Sequence, residues 1–312
     1  MKNKIKIIYI GTPEIAVAPL QKLLKNKNFE VCAVITQPDK PAGRKKIITP
    51  SQVKIEALKH GLRLLQPAKI SEIIDEVNNL APDIIVVMAY SQILPKALLD
   101  IPKFNAINIH TSLLPKYRGA SPIQAAIMNG DNETGITFML IDAGLDTGPI
   151  LKALKIKIKK DDTTESLSKK LSILAAENIT KTVSGYIGKK IIPKEQDNSQ
   201  ASYAKELKKN DARIDWSLPS EKIDRFIRAM LPWPVAFTTV KDCQIKIYNA
   251  DIIDSPKKNI SLGEILVIDK KMAVKTLDGI LVLNKIQASG KKIMDSKNFL
   301  MGKPDVLGKI AQ

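Results

Sequence analysis

The chain has 312 residues, 44% of them hydrophobic and 26% charged, and a formal net charge of +17. This length allows two domains with sizeable cores, whereas Cys32 and Cys243 are too far apart for a disulfide framework or a cysteine metal site. No apolar run approaches the ~18 residues of a membrane span, and the first strand begins too early and is too charged for a signal peptide. We therefore expect a cytoplasmic protein without a membrane segment.

The excess of 49 Lys and Arg over 32 Asp and Glu favours a polyanionic partner such as nucleic acid. The charge is spread along the chain, however, and a lysine-rich genome composition alone could produce it. Charge agrees with nucleic-acid binding but does not identify it.

Residues 1–188 alternate predicted strands and helices. The predicted strands are Ile5–Ile10, Phe29–Thr36, Leu62–Leu65, Asp83–Met88, Ala106–His110 and Ile150–Lys159. The predicted helices are Pro13–Lys25, Ser51–His60, Ser71–Asn79, one that begins at Pro122, and Thr163–Gly188. This alternation predicts an α/β domain with a Rossmann-like, mostly parallel sheet. The first strand-to-helix turn has one glycine and a proline, where a dinucleotide-binding turn has three glycines, which argues against an NAD-dependent oxidoreductase.

Polar side chains with catalytic potential lie at the end of one predicted strand and in a later loop. Asn108 and His110 are two residues apart, so they share a strand face, and residues 142–148 form a glycine-rich loop with two carboxylates. An amide NH2 and an imidazolium can both donate to the oxyanion of an acyl-transfer intermediate. A nearby carboxylate would raise the pKa of an imidazole and orient it. Taken singly, these residues could instead satisfy backbone groups or form turns.

Periodicity is lost over residues 189–209, which we interpret as a linker, and the pattern changes from residue 210. A helix over Pro219–Met230 is predicted to precede five short strands: Ala236–Val240, Gln244–Ile253, Gly263–Ile268, Met272–Thr276 and Gly279–Gln287. A helix followed by five strands predicts a small OB-like β-barrel domain over residues 210–312.

Three motifs resemble the signature of the 10-formyltetrahydrofolate-dependent formyltransferases: N-I-H at 108–110, S-L-L-P-K-Y-R-G-A-S-P-I at 112–123 and D-A-G-L-D-T-G at 142–148. Further motifs at 11–13 (G-T-P), 37–44 (Q-P-D-K-P-A-G-R) and 212–216 (A-R-I-D-W) narrow the resemblance to family members that act on initiator methionyl-tRNA. The resemblance covers nearly the whole chain.

This resemblance implies formyl transfer from 10-formyltetrahydrofolate to the α-amino group of methionine on initiator tRNA, for translation initiation. It makes residues 1–188 the catalytic domain and residues 210–312 a tRNA-binding domain. Asn108 and protonated His110 would hold the oxyanion. Asp146 would keep His110 charged and, through water, help to remove the amine proton. No Ser or Cys has an obvious base beside it, so a covalent acyl-enzyme is not indicated. The resemblance likewise implies a reaction that needs no metal.

The resemblance also implies the binding residues, and we expect a monomer. Folate would contact Ser112, Leu113, Leu114 and Pro115, with Ile93 and Leu94 lining an apolar slot. Transfer RNA would contact Arg44, Lys45, Lys46, Lys208 and Lys209. The sequence has Thr111 and Ser91 where bacterial relatives often have glycine, which affects the expected shape of the folate pocket.

Three other functions share part of this pattern. An amino-sugar formyltransferase would use the same three polar side chains but differ after residue 190 and lack the loop around Arg44. A formyl-folate hydrolase would use water as the nucleophile and release formate without tRNA. A non-catalytic RNA-binding protein would not need Asn108, His110 and Asp146 together.

Overall fold

The structure is a computed structural model that describes residues 4–42, 47–254 and 260–312. Arg44, Lys45 and Lys46, which are predicted to bind tRNA, lie outside the described residues.

The first two thirds of the chain alternate strands and helices, as predicted. The elements are β1 (Ile5–Gly11), α1 (Val17–Leu24), β2 (Phe29–Ile35), β3 (Lys40–Ala42), β4 (Ile47–Thr49), α2 (Gln52–Lys59), β5 (Leu64–Leu65), α3 (Ile74–Leu80), β6 (Ile84–Met88), α4 (Lys96–Leu99), β7 (Ala106–His110), β8 (Arg118–Gly119), α5 (Pro122–Met128), β9 (Glu133–Leu140), β10 (Ile150–Lys157), α6 (Thr164–Ile187) and β11 (Tyr203–Ala204). Short 3-10 helices over Glu14–Ala16 and Ile70–Ile73 precede α1 and α3.

Seven of these strands form one sheet in the order β10-β9-β7-β6-β1-β2-β5. Strands β5, β2, β1, β6 and β7 are parallel, and β9 is antiparallel to β7. The mostly parallel sheet predicted from the sequence is therefore confirmed. All five residues of β6 are buried, as expected for a strand covered on both faces. Because β6 and β7 are parallel, the segment after Met88 and the end of β7 at His110 lie at the same edge of the sheet.

Some elements differ from the sequence prediction. Strand β9 and the β3–β4 hairpin were not predicted, and the strand expected at Leu62–Leu65 contains only its last two residues. The helix expected over Pro13–Lys25 begins as a 3-10 turn and becomes α-helical at Val17. The predicted cap of α2 is confirmed, because the Ser51 side chain accepts a hydrogen bond from the Lys54 amide.

The last third contains one helix followed by all five predicted strands, and then a short strand and a helix that were not predicted. Its elements are α7 (Ser220–Ala229), β12 (Phe237–Val240), β13 (Cys243–Asp254), β14 (Ile265–Ile268), β15 (Lys271–Lys275), β16 (Gly279–Ala288), β17 (Met294–Asp295) and α8 (Ser296–Gly302). The sheet order is β12-β13-β16-β15-β14, with β17 added to β16, and all its pairs are antiparallel.

The C-terminal segment connects the two edge strands of this sheet. Gln312 exchanges backbone hydrogen bonds with Thr239 on β12, and residues 308 and 309 do the same with Ile265 on β14. The sheet is thereby closed, which agrees with the small barrel predicted from the sequence.

The chain divides into two compact units. One comprises Met1–Pro122, Thr134–Ile156 and Ser168–Ala204, and the other comprises Ile123–Glu133, Lys157–Leu167 and Lys205–Gln312. The domain bounds at residues 188 and 210 stay a prediction. None of the described helices is both long enough and apolar enough to cross a bilayer.

Candidate active site

Strand β7 presents the two predicted oxyanion donors. Its register against β9 places Asn108 opposite Met139 and His110 opposite Thr137. Asn108 is half-buried and His110 is buried, with 6% of its surface exposed. The flanking residues Ile107 and Ile109 are buried in the apolar layers of the sheet, which holds the strand rigidly beneath the polar pair.

The loop between β9 and β10 brings a carboxylate to this pair. Asp146 Oδ1 accepts a hydrogen bond from Asn108 Nδ2 at 3.3 Å, and Asp146 Oδ2 lies 3.5 Å from His110 Nδ1. The three side chains that the sequence nominated as catalytic thus meet in the structure. Both contacts are long for charge-assisted hydrogen bonds, so each donor can turn towards a third acceptor.

The other imidazole nitrogen also faces an acceptor. His110 Nε2 lies 2.9 Å from the Tyr117 carbonyl oxygen, and a carbonyl can only accept, so Nε2 carries a proton. With a second proton on Nδ1, the imidazolium would donate to Tyr117 on one side and to Asp146 on the other. Both ring nitrogens of His110 therefore face acceptor oxygens.

A backbone amide completes the surroundings of the carboxylate. The Gly119 amide donates to Asp146 Oδ2 at 2.8 Å. Gly119 has φ +109°, and a Cβ there would lie 2.7 Å from the Ala204 carbonyl oxygen, so both backbone conformation and space require glycine. Tyr117 and Gly119 contribute backbone atoms, which explains why side-chain chemistry alone did not identify them.

The segment after His110, which is predicted to bind folate, is held against β9 by hydrogen bonds. Thr137 Oγ1 donates to the Ser112 carbonyl at 2.7 Å and accepts from the Leu114 amide at 3.1 Å. The buried Ser112 hydroxyl donates to the Lys116 carbonyl at 2.6 Å. Leu114 is buried, whereas Leu113 and Pro115 are half-buried. This segment is therefore a fixed wall beside His110.

The other predicted folate residues follow β6 and have different surroundings. Ile93 is 92% exposed, whereas Leu94 is buried in the hydrophobic core with Val87 and Leu98. Ser91, one of the two departures from the family pattern, has φ +65°, in the left-handed region that favours glycine. Of these residues, Ile93 is the one whose side chain is open to a ligand.

Tyr90 lies in the same segment and carries a buried hydroxyl that has no hydrogen-bond partner among the described residues. Burial raises the pKa of Tyr90 to about 12. Tyr90→Phe is expected to increase the free energy of unfolding by about 1 kcal/mol, since burying an unpaired hydroxyl costs roughly 1–3 kcal/mol. Denaturant unfolding of the two proteins measures the difference, and a less stable variant would show that the hydroxyl has a partner.

The predicted tRNA-binding residues fall into two groups. Arg44, Lys45 and Lys46 stand in the sequence between β3 and β4, outside the described residues. Lys208 and Lys209 are exposed at the start of a 3-10 helix. Within the described parts of the chain, no three His, Cys, Asp or Glu side chains are grouped closely enough to hold a metal ion.

Two family models match successive parts of the chain. The model described as "Formyl transferase" matches residues 3–183, and the model described as "Formyl transferase, C-terminal domain" matches residues 206–304. Fold, polar site and family models together define a formyltransferase enzyme.

Curated relatives identify the group within this class. The methionyl-tRNA formyltransferase of Alkaliphilus metalliredigens (strain QYMF) is 43% identical over 300 residues, which is 95% of each chain. That of Clostridium tetani (strain Massachusetts / E88) is 44% identical over 301 residues, covering 95% of this chain and 96% of the relative. The chain belongs to the methionyl-tRNA formyltransferase family.

Solved structures share the fold. The methionyl-tRNA formyltransferase from Clostridium thermocellum has a TM-score of 0.59 at 18% identity, over 93% of this chain and 99% of that one. The N-formyltransferase from Helicobacter canadensis, solved with folinic acid and dTDP-3-aminofucose, has a TM-score of 0.68 at 21% identity, over 89% and 98%. HypX from Aquifex aeolicus, solved with tetrahydrofolic acid, has a TM-score of 0.64 at 15% identity, over 96% and 47%.

Proposed function

We propose that the protein transfers the formyl group of 10-formyltetrahydrofolate to the α-amino group of methionine on initiator methionyl-tRNA. The product, N-formylmethionyl-tRNA, serves translation initiation. The observation that carries this proposal is the meeting of Asn108, His110 and Asp146 at one edge of the sheet, in a chain 43% identical to a methionyl-tRNA formyltransferase along 95% of its length. The proposed location is the cytoplasm and the proposed state is a monomer.

The reaction requires an electrophilic formyl carbon and two proton transfers, one from the methionine amine and one to N10 of the folate. The methionine amine attacks the formyl carbon, a C–N bond forms, and the carbonyl electron pair moves to oxygen. Asn108 has a second amide hydrogen beyond the one given to Asp146, and His110 Nδ1 is only loosely engaged. Both can therefore donate to the developing oxyanion, where electrostatic stabilisation has its largest effect.

Collapse of the tetrahedral intermediate restores the carbonyl and breaks the bond to N10 of tetrahydrofolate. The proton lost by the attacking amine balances the proton gained by N10. In this proposal Asp146 assists the first transfer through a water molecule and maintains the charge on His110.

The folate wall is assigned to Ser112, Leu113, Leu114 and Pro115, with Ile93 and Leu94 from the segment after β6. Support comes from their position at the sheet edge where β6 and β7 both end and from the Thr137 hydrogen bonds that fix the first of the two segments. The proposal uses the exposed Ile93 for ring contact and the buried Leu94 as its support.

The test is formylation with three acceptors and a buffer control. Purified protein and 10-formyltetrahydrofolate are incubated with methionyl-tRNA, free methionine, a dTDP-amino sugar, or buffer alone. We expect formylated product with methionyl-tRNA and none with the two small amines. Formate released in buffer at the rate of tRNA formylation would identify a hydrolase instead, and product from the sugar would identify an amino-sugar formyltransferase.

A second prediction concerns Arg44, which is proposed to contact tRNA together with Lys45, Lys46, Lys208 and Lys209. A planar guanidinium grips phosphate and stacks on unpaired bases, which an ammonium cannot do. We expect Arg44→Lys to lower kcat/KM for methionyl-tRNA while folate binding is unchanged, and Arg44→Ala to lower it further. Lys45→Ala is the control, because it should weaken tRNA binding slightly and reduce its salt dependence. Equal kcat/KM in wild type and both Arg44 variants would remove Arg44 from the tRNA contacts.

A further inference from the structure

A buried arginine lies next to the active site without touching any of its three polar side chains. Arg118 is 2% exposed and is among the largest fully buried side chains of the described chain. Its Nε and Nη2 both donate to Gln196 Oε1, at 3.1 and 2.8 Å, and Nη2 also donates to Asn198 Oδ1 at 2.8 Å. Burying a guanidinium is costly unless its hydrogens are bonded, and the two bonds to Gln196 Oε1 fix the orientation of the Gln196 amide.

The opposite end of that amide holds the loop of Asp146. Gln196 Nε2 donates to the Asp146 carbonyl at 2.9 Å and to the Gly148 carbonyl at 2.8 Å. A guanidinium has only donors and a carbonyl only acceptors, so a neutral amide with its oxygen towards Arg118 satisfies both sides. Glutamine is the one side chain of this length that can do so without a charge.

Asp146 needs such support because its backbone conformation is energetically unfavourable. Its φ of +53° lies in the left-handed region, which L-residues adopt at a cost unless the surroundings impose it. Its carboxylate is held by the Gly119 amide, adjacent in sequence to Arg118, and its carbonyl is held by Gln196. Residues 118–119 therefore restrain Asp146 twice, once directly and once through Gln196.

We propose that Gln196, oriented by the buried guanidinium of Arg118, is a positioning residue that keeps the Asp146 carboxylate on His110. This role belongs to the active site of the proposed function, and the kcat measurement that tests it rests on that function. It assigns an active-site role to residue 196, within the segment predicted to be a linker. Gln196 touches neither substrate nor reacting atoms in this scheme and acts only through the Asp146 loop.

Gln196→Glu tests the proposal while preserving the fold. A carboxylate of the same length pairs with Arg118, but at neutral pH its second oxygen faces the Asp146 and Gly148 carbonyls and repels them. We expect kcat to fall about 10–100-fold, the scale of an ångström-sized misplacement, with KM for folate and for tRNA within about twofold of wild type. Activity relative to wild type should rise as the pH falls, since a protonated carboxyl can donate again.

Asn198→Ala is the matched control. It removes one acceptor from the same guanidinium, and among the described hydrogen bonds Asn198 makes none to Asp146 or Gly148. Its kcat should stay within about twofold of wild type. A Gln196→Glu enzyme with wild-type kcat and pH profile would overturn the proposal.

A second readout is independent of the reaction. The chain has two histidines, so ¹⁵N-histidine labelling gives one imidazole signal set for His110 and one for His60, which pairs with Glu56 elsewhere. Gln196→Glu should shift the His110 signals and leave those of His60 in place, while Asn198→Ala should shift neither. Wild-type protein without formylation activity would refute the proposed function. The imidazole spectra would still test the positioning role of Gln196, because unchanged His110 signals in Gln196→Glu would refute that role.

Discussion

His110→Ala is expected to lower kcat for methionyl-tRNA formylation by at least roughly 10²–10³, the usual loss for one oxyanion donor. The variant removes the imidazole but leaves Asp146 with hydrogen bonds from Asn108 and Gly119, so the loop should keep its place. The loss should therefore appear in kcat, with tRNA affinity nearly unchanged. Single-turnover formylation and a separate tRNA-binding titration measure the two quantities.

Substitution of the other two polar side chains, Asn108 and Asp146, should also lower kcat. Asn108→Ala should lose roughly 10²–10³ in kcat as a donor of the same kind, and Asp146→Ala should be similarly damaging or worse. His60→Ala is the matched control, because its imidazole is 41% exposed and bonded to Glu56. Wild-type turnover in His110→Ala would refute the mechanism.

Local sequence patterns predicted much of the fold and brought two residues of the proposed polar site to attention. Strand β7 has the bounds that were predicted, Ala106–His110, because alternation and a polar end define a short strand well. Five of the six described C-terminal strands were predicted, all but the two-residue β17, since turn residues separate apolar segments there. Asn108 and His110 could be proposed because their side chains have chemistry that is visible in a sequence, whereas the choice of Asp146 over Asp142 came from the family resemblance.

Long-range contacts made through backbone atoms could not be predicted. Strands β8 and β11 have two residues each and pair across more than eighty positions, so neither shows any periodicity. Gln196 lies in a segment without a pattern, yet it is 9% exposed because Arg118 and two carbonyls surround it. Strand β9 was missed because Gly135 interrupts it and seven of its eight residues are buried, which removes the alternation of a half-exposed strand.

The glycine at position 148 leads to the second large expected effect. A Cβ on Gly148 would overlap the Leu140 carbonyl oxygen and lie 2.9 Å from its carbonyl carbon. Both partners are backbone atoms, so no side-chain rotation can relieve the overlap. The neighbouring Pro149 carbonyl accepts from the Leu140 amide at 2.9 Å, which ties this part of the loop to the end of β9.

Gly148→Ala should therefore move the loop away from β9 and carry Asp146 with it. The Gly148 carbonyl would leave Gln196 Nε2, and the Asp146 carboxylate would lose its place beside His110. We expect a destabilisation of about 1–3 kcal/mol, typical of overpacking, and a fall in kcat of about 100-fold, as for an ångström-sized displacement of a catalytic group.

Gly302→Ala separates this effect from the general consequences of replacing a glycine. Gly302 ends α8, and a Cβ there meets no heavy atom within 4 Å, so the variant should have wild-type kcat and equal or slightly higher stability. Thermal unfolding and formylation are measured for both variants. If Gly148→Ala matched Gly302→Ala in both measurements, the close approach of the loop to β9 would have no part in holding Asp146. If Gly148→Ala lost kcat while its KM for folate stayed near wild type, glycine at this position would be required because it lets the carboxylate reach the imidazole.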